Sequence, residues 1–164
     1  NYKQTEGISY TDQQWIFIPM LYVKSVCRFD KHVYNYLIGR EGQTISAEVR
    51  QKSMSHMTQC IYGMINAYNK YTLDMRTPIK EYFHARLIPL IKDIYITSFT
   101  YYSAQRRENL KIFDKTIKEM NNDLYKLTED TNALFNYICY WRKHTESNIS
   151  IVRILANLYL YIVK

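Results

Sequence analysis

An all-α fold is predicted: a compact up-and-down bundle of about five or six amphipathic helices, forming one domain over residues 1–164. Three observations predict it. Apolar side chains recur at steps of three and four along most of the chain, the spacing of one helix face. Glycine (4) and proline (3) are scarce, so tight turns and strained loops are few. Where breaks do occur they carry helix-end chemistry, Gly39 and Gly42 at one and Thr77-Pro78 at another.

The elements follow in order. Residues 1–10 are polar and read as a flexible arm. From Thr11 to Ile38, Trp15, Ile18, Tyr22, Val26, Phe29, Val33 and Tyr36 form a single helical stripe, which Pro19 either kinks or delays. A second helix is predicted over Thr44–Thr72, with Val49, His56, Cys60, Met64, Ala67 and Tyr71 inward and Met54, Met57 and Ile61 alongside. Thr77 as N-cap and Pro78 in the first helical position start a third, through Ile79, Phe83, Leu87, Leu90 and Ile94. Pro89 should bend or split it. A charged amphipathic helix over 105–121 turns Leu110, Phe113, Ile117 and Met120 to its apolar side. Leu124, Leu127, Leu134, Ile138 and Trp141 suggest a fifth helix. Ile151–Val163 is apolar except for Arg153 and Asn157; it is too short for a bilayer span, which needs about 20 residues.

Nothing along the chain assembles into a catalytic centre. The four histidines, His32, His56, His84 and His144, include no i,i+4 pair and no HExxH, so no metal ligands are expected. His56 and Cys60 share a helix face, but no third residue completes a nucleophile–base arrangement. Most carboxylates sit beside lysine or arginine, as in Asp30-Lys31 and Lys92-Asp93, and the sparse loops offer little to shape a sugar-sized cleft. GxGxxG and GxxxxGK are absent, so no cofactor is expected. Cys27, Cys60 and Cys139 include no CxxC pair; buried thiols are the default, and a Cys27–Cys60 disulfide stays open. The chain begins without a signal peptide, as in a mature secreted protein or a cytosolic one. Asn148-Ile149-Ser150 is a glycosylation acceptor in a secreted chain, or Asn148 is an N-cap.

What remains is surface. The net charge is +7, carried by residues 1–100 (+4) and 101–164 (+3) without a charged tail. Such a field attracts nucleic acid, anionic lipid or acidic glycoprotein. Lys24, Arg28 and Lys31 fall on one line of the first predicted helix; Arg50, Lys80 and Arg86 follow on the next two. Arg106, Arg107, Lys111, Lys115 and Lys118 line the fourth, opposed by Glu108 and Asp114. Ordinary helix-surface ion pairs would account for part of this. Like charges at i,i+4, however, cost energy unless a partner compensates them. Seventeen tyrosines add rings suited to interfaces. The thin spread of charge and the lack of a recognition helix after a tight turn disfavour nucleic acid. Basic tracks beside exposed apolar surface suit an anionic membrane or a glycoprotein coat.

The run from Tyr22 to Arg40, with Val23-Lys24-Ser25-Val26-Cys27-Arg28-Phe29-Asp30 at its start, is followed by a long helix, then Arg76-Thr77-Pro78, then tyrosines near 95–102. In this order and spacing the chain resembles the abalone sperm acrosomal proteins, the family of lysin and its fusagenic paralogue, over roughly residues 15–102. The resemblance implies a secreted, helical protein of the sperm acrosomal vesicle that acts at fertilisation without enzymatic turnover. Lysin-like members bind and open the egg vitelline envelope stoichiometrically, with two basic tracks and a hydrophobic patch that makes a homodimer. The paralogue assists fusion of sperm and egg membranes. Arg28 or Lys31, with Arg40, are the positions here that match a basic track. Three cysteines, a lower arginine density and an apolar last helix depart from lysin and favour the fusagenic paralogue. The function expected is thus membrane binding and perturbation promoting sperm–egg fusion, with lysin-like opening of the envelope as the alternative.

Overall fold

The computed structural model describes residues 5–37, 47–71, 77–129, 136–144 and 149–163. Among them the fold is all-α, with eight helices and no strand. The chain divides into two compact units, Asn1–Ile79 and Lys80–Lys164.

The first unit is built on α1 (Thr11–Met20), α2 (Ala47–Lys52) and α3 (Met54–Tyr71), with α1 packed on α3. Phe17 of α1 and Cys60, Ile61, Met64, Ile65 and Tyr68 of α3 form its buried core at the predicted three-and-four spacing. The predicted second helix is thus seen as α2 and α3, parted only at Ser53, where the amide still bonds to the Val49 carbonyl at 2.9 Å. Gln14 is the polar member of this core. Its side-chain amide donates to the Cys60 carbonyl at 3.3 Å and its oxygen accepts from the Thr5 hydroxyl at 2.9 Å. Gly63 leaves the space that Gln14 occupies, since a Cβ there would collide with the Gln14 amide nitrogen. The end of the predicted arm is docked: the Ser9 amide donates to His56 Nδ1 at 3.1 Å, and the Cys60 thiol donates to the Tyr10 carbonyl at 3.3 Å. Tyr10, at φ 69, holds a left-handed conformation at the start of α1.

The first helix corrects the sequence reading. It stops at Met20 instead of running on to Ile38, and residues 24–37 form no regular element. Pro19 supplies no amide to the α1 ladder, and the chain then unwinds through three-residue turns, Leu21 to Ile18, Tyr22 to Pro19 and Val23 to Met20. A helix of this size draws most of its stability from packing. Val26, Phe29 and Val33 are all exposed, so the continuing stripe has nothing to pack on. Lys24, Arg28 and Lys31 therefore do not lie on a helix here.

The second unit centres on α4 (Thr77–Thr100), whose first turn precedes the division. From Ile94 to Phe99 every residue of α4 is buried. Tyr95 meets Phe113 and Trp141 edge to face at 5.8 and 5.9 Å, and Phe99 meets Tyr137 at 5.9 Å. Pro89 does not split α4; it is exposed, so water can satisfy the carbonyl it leaves free. Through the contacts of Tyr95 with Phe113 and Trp141, α5 (Ala104–Met120) and α7 (Tyr137–Lys143) pack on α4, with α6 (Asn122–Leu127) against α5 and α8 (Ile149–Val163) against α7. Ser103, Asn121 and Asn136 cap α5, α6 and α7 through bonds of 3.2, 2.9 and 3.0 Å from amides three residues on. Leu110, Phe113 and Ile117 are the buried face of α5, as their spacing predicts. The predicted fifth helix is represented by α6 and α7; Leu134 lies outside the described residues, as do Gly39, Gly42 and Asn148.

Candidate interaction surfaces

The basic residues of the first and fourth predicted helices have different surroundings. On α5 they have local partners. Lys111 pairs with Glu108 at 3.2 Å, Lys115 pairs with Glu119 at 3.8 Å, and Lys118 lies over the Tyr125 ring at 5.6 Å. Arg106 donates to the Tyr101 carbonyl at the head of the helix, and Arg107 is half-buried. Glu119, four residues after Lys115, gives that lysine a partner. Exposed i,i+3 and i,i+4 pairs contribute only about 0.3–0.5 kcal/mol each. They still mask the local field from anything beyond a Debye length of about 8 Å.

The other group is Lys24, Arg28 and Lys31, all exposed in the irregular segment Tyr22–Leu37. Arg40 lies outside the described residues. Here the cations alternate with large apolar side chains turned to solvent: Phe29 is 77% exposed and Val33 is 91% exposed. Val26, Tyr34, Tyr36 and Leu37 are exposed as well. Scattered surface apolar residues are ordinary, but so many within one short stretch are the mark of a surface that meets something else. The segment is moored at its start, where the Tyr22 and Tyr71 hydroxyls bond and their rings meet edge to face at 5.1 Å.

The final helix supplies a second apolar surface, in the other unit. Val152 and Ala156 are buried, whereas Ile151, Ile154, Leu158 and Tyr161 are exposed at steps of three, four and three. One face of α8 thus closes the core while another presents an aliphatic and aromatic stripe. Arg153 lies beside it, over the Tyr102 ring at 5.6 Å. No helix among the described residues is long and apolar enough to cross a membrane.

The second unit also holds a polar cluster that sequence spacing gave no hint of. The Arg142 side chain, only 5% exposed, donates from Nε to Asp114 at 2.7 Å. Its Nη1 reaches both Glu129 and the Tyr125 carbonyl at 3.0 Å, and its Nη2 reaches the Tyr95 hydroxyl at 2.8 Å. Its plane also lies 3.5 Å from the centre of the Tyr125 ring. Burial opposes the charge on Arg142, but Tyr95 and Asp114 outweigh it and hold the guanidinium above its ordinary value. Burial likewise pushes the Tyr95 phenol well above 10.0, more than the nearby guanidinium lowers it. All three guanidinium nitrogens are bonded, so the cluster ties α4, α5, α6 and α7 together and leaves little to engage a ligand. It is structural.

The candidate nucleophile is also enclosed. Burial, with Asp12 nearby, pushes the Cys60 thiol up to about 11, so it is protonated at neutral pH. All three cysteines are free: Cys27 exposed, Cys60 buried and Cys139 half-buried. Cys27 lies in the irregular segment, not on a helix beside α3. Among the described residues no three His, Cys, Asp or Glu side chains are gathered as a metal site. Burial and then Lys80 hold His84 below 6.5, against Asp123. No protein family, curated protein sequence or solved structure matches the chain.

Proposed function

We propose that this is a non-enzymatic, secreted protein that binds and perturbs membranes and, released from the sperm acrosomal vesicle, promotes fusion of sperm and egg membranes. The observation that carries the reading is the exposed segment Tyr22–Leu37, in which Lys24, Arg28 and Lys31 alternate with Val26, Phe29, Val33 and Tyr36. Cations draw such a segment to anionic headgroups, and its rings and branched side chains then enter the interface, where apolar burial holds them. The apolar stripe of α8 offers a further contact of the same kind. The setting, fertilisation, rests on the resemblance to the acrosomal proteins. The fold proposed with it is the compact up-and-down bundle of about five or six amphipathic helices. The test is mixing of lipids between anionic liposomes, with added salt expected to suppress it.

A second reading is stoichiometric, lysin-like opening of the egg vitelline envelope by binding its glycoprotein. The α8 stripe favours it as a homodimer face, because Ile151, Ile154, Leu158 and Tyr161 lie at the spacing of a helix–helix seam. Failure of lipid mixing together with intact binding to an egg-envelope extract would replace the first reading with this one.

A further inference from the structure

Tyr22–Leu37 carries a pattern that its conformation leaves unused. At 3.6 residues per turn, Tyr22, Val26, Phe29, Val33 and Tyr36 would share one side of a helix. Lys24, Arg28 and Lys31 would share the opposite side. In the structure these residues are irregular and exposed, and among the described residues 24–36 make no backbone hydrogen bond.

We propose that Tyr22–Leu37 is a conditional helix, irregular in water and helical on an anionic lipid surface. This rests on the membrane reading above and adds what the segment does there. In water nothing rewards the helix. Among the described residues the backbone of 24–36 finds no partner, and Val26, Phe29, Val33 and Tyr36 stay exposed. At a lipid interface both conditions change. Apolar side chains enter the boundary between headgroups and acyl chains, and backbone groups that follow them lose water and must bond to one another. A helix meets that need within the segment. It also sorts the side chains, aiming the apolar stripe inward and leaving the cations to reach headgroups along their aliphatic stems.

Charge selects lipid over a second copy of the chain. Asp30 is the single acid against Lys24, Arg28 and Lys31, so two such segments repel each other while anionic headgroups attract them. The mooring of Tyr22 on Tyr71 keeps the start of the segment attached to α3 as the remainder rearranges.

The experiment uses the full chain with vesicles of phosphatidylserine and phosphatidylcholine, following circular dichroism and co-sedimentation together. Binding is expected to raise the helical signal by about a tenth of the chain. His32 is exposed at the middle of the segment and is neither apolar nor one of the three cations. His32→Pro is expected to keep the spectrum in water, lose the gain on vesicles and bind at least about tenfold more weakly. His32→Ala should keep both the gain and the affinity. Co-sedimentation without any helical gain overturns the conditional helix and leaves the membrane reading standing. Helical gain with rising protein concentration and no vesicles makes a second copy the occupant and overturns the lipid assignment. Absence of co-sedimentation overturns both.

Discussion

Cys60 illustrates how burial disarms a reactive side chain. Its thiol donates to the Tyr10 carbonyl at 3.3 Å, and burial pushes it from 9.0 to about 11. Below pH 9.0 the thiol is protonated in both folded and unfolded chains and gives no pH dependence. Above that value the unfolded chain loses the proton first, so the unfolded state binds fewer protons and stability falls as the pH rises towards about 11. Urea melts of Cys60→Ala should show a shallower loss over that window than the parent protein. A thiol reagent at neutral pH should label Cys27 at once and Cys60 only on unfolding. Gly63 is legible only in three dimensions. Ala normally stabilises a helix interior by about 1 kcal/mol over Gly. Here its methyl group would displace the buried Gln14 amide, so Gly63→Ala is expected to destabilise by about 1 kcal/mol. In a Gln14→Ala background the same change should become stabilising, and a double-mutant cycle by urea denaturation reads the reversal. Arg142 carries the largest single-residue effect. Arg142→Met should cost about 3–5 kcal/mol in the same assay, because Asp114 is left without its cation. Arg142→Lys should recover little, since one ammonium cannot reach four acceptors arranged for a planar fork.

Among the elements, the ones that fold as their spacing predicts are those whose apolar stripe has a partner. α3, α4 and α5 bury much of the face that the three-and-four periodicity selects, among them Cys60, Met64, Phe83, Leu87, Ile94, Leu110, Phe113 and Ile117, while His56, Ala67, Leu90 and Met120 are half-buried; Ser103 and Asn121 cap α5 and α6. Removing the caps tests that local chemistry: Ser103→Ala and Asn121→Ala should each cost about 1 kcal/mol in urea melts. The stripe from Tyr22 to Tyr36 has the same period and no helix. Periodicity states which face would be apolar; packing decides whether the helix exists. Pro19 reads in the sequence as a kink or a delayed start; it lies inside α1, which ends one residue later at Met20. The basic residues of α5 were legible as a track, yet their meaning changed once Glu108, Glu119 and the Tyr125 ring took their places beside them. The exposed stripe on α8 was half-visible in sequence: an almost wholly apolar helix must be sealed or must meet something, and the three-four-three step of Ile151, Ile154, Leu158 and Tyr161 marks the face left open. The Arg142 cluster left no sequence signal, because Tyr95, Asp114, Tyr125 and Glu129 come from three helices and a helix end with no shared period.

At the scale of the molecule, a net charge of +7 is spread over a chain whose two units each present apolar side chains to solvent. Long-range attraction belongs to the whole charge, but retention at a surface belongs to cations beside apolar groups that can follow them in. Among the described residues of the predicted basic tracks, Lys24, Arg28 and Lys31 meet that description, and Arg153 lies beside the apolar stripe of α8. Each such cation near an anionic leaflet is worth about 1 kcal/mol, so removing all three should weaken partitioning by about 100-fold. Lys111 and Lys115, already neutralised by Glu108 and Glu119, should matter far less. The decisive measurement is therefore co-sedimentation with anionic and with zwitterionic vesicles, at low and high salt, for the parent protein, for K24Q/R28Q/K31Q and for K111Q/K115Q. Binding restricted to anionic vesicles, weakened by salt and lost in the first variant alone, is the expected result. Binding that ignores lipid charge and salt, or that survives K24Q/R28Q/K31Q undiminished, would contradict the assignment of this surface to a membrane.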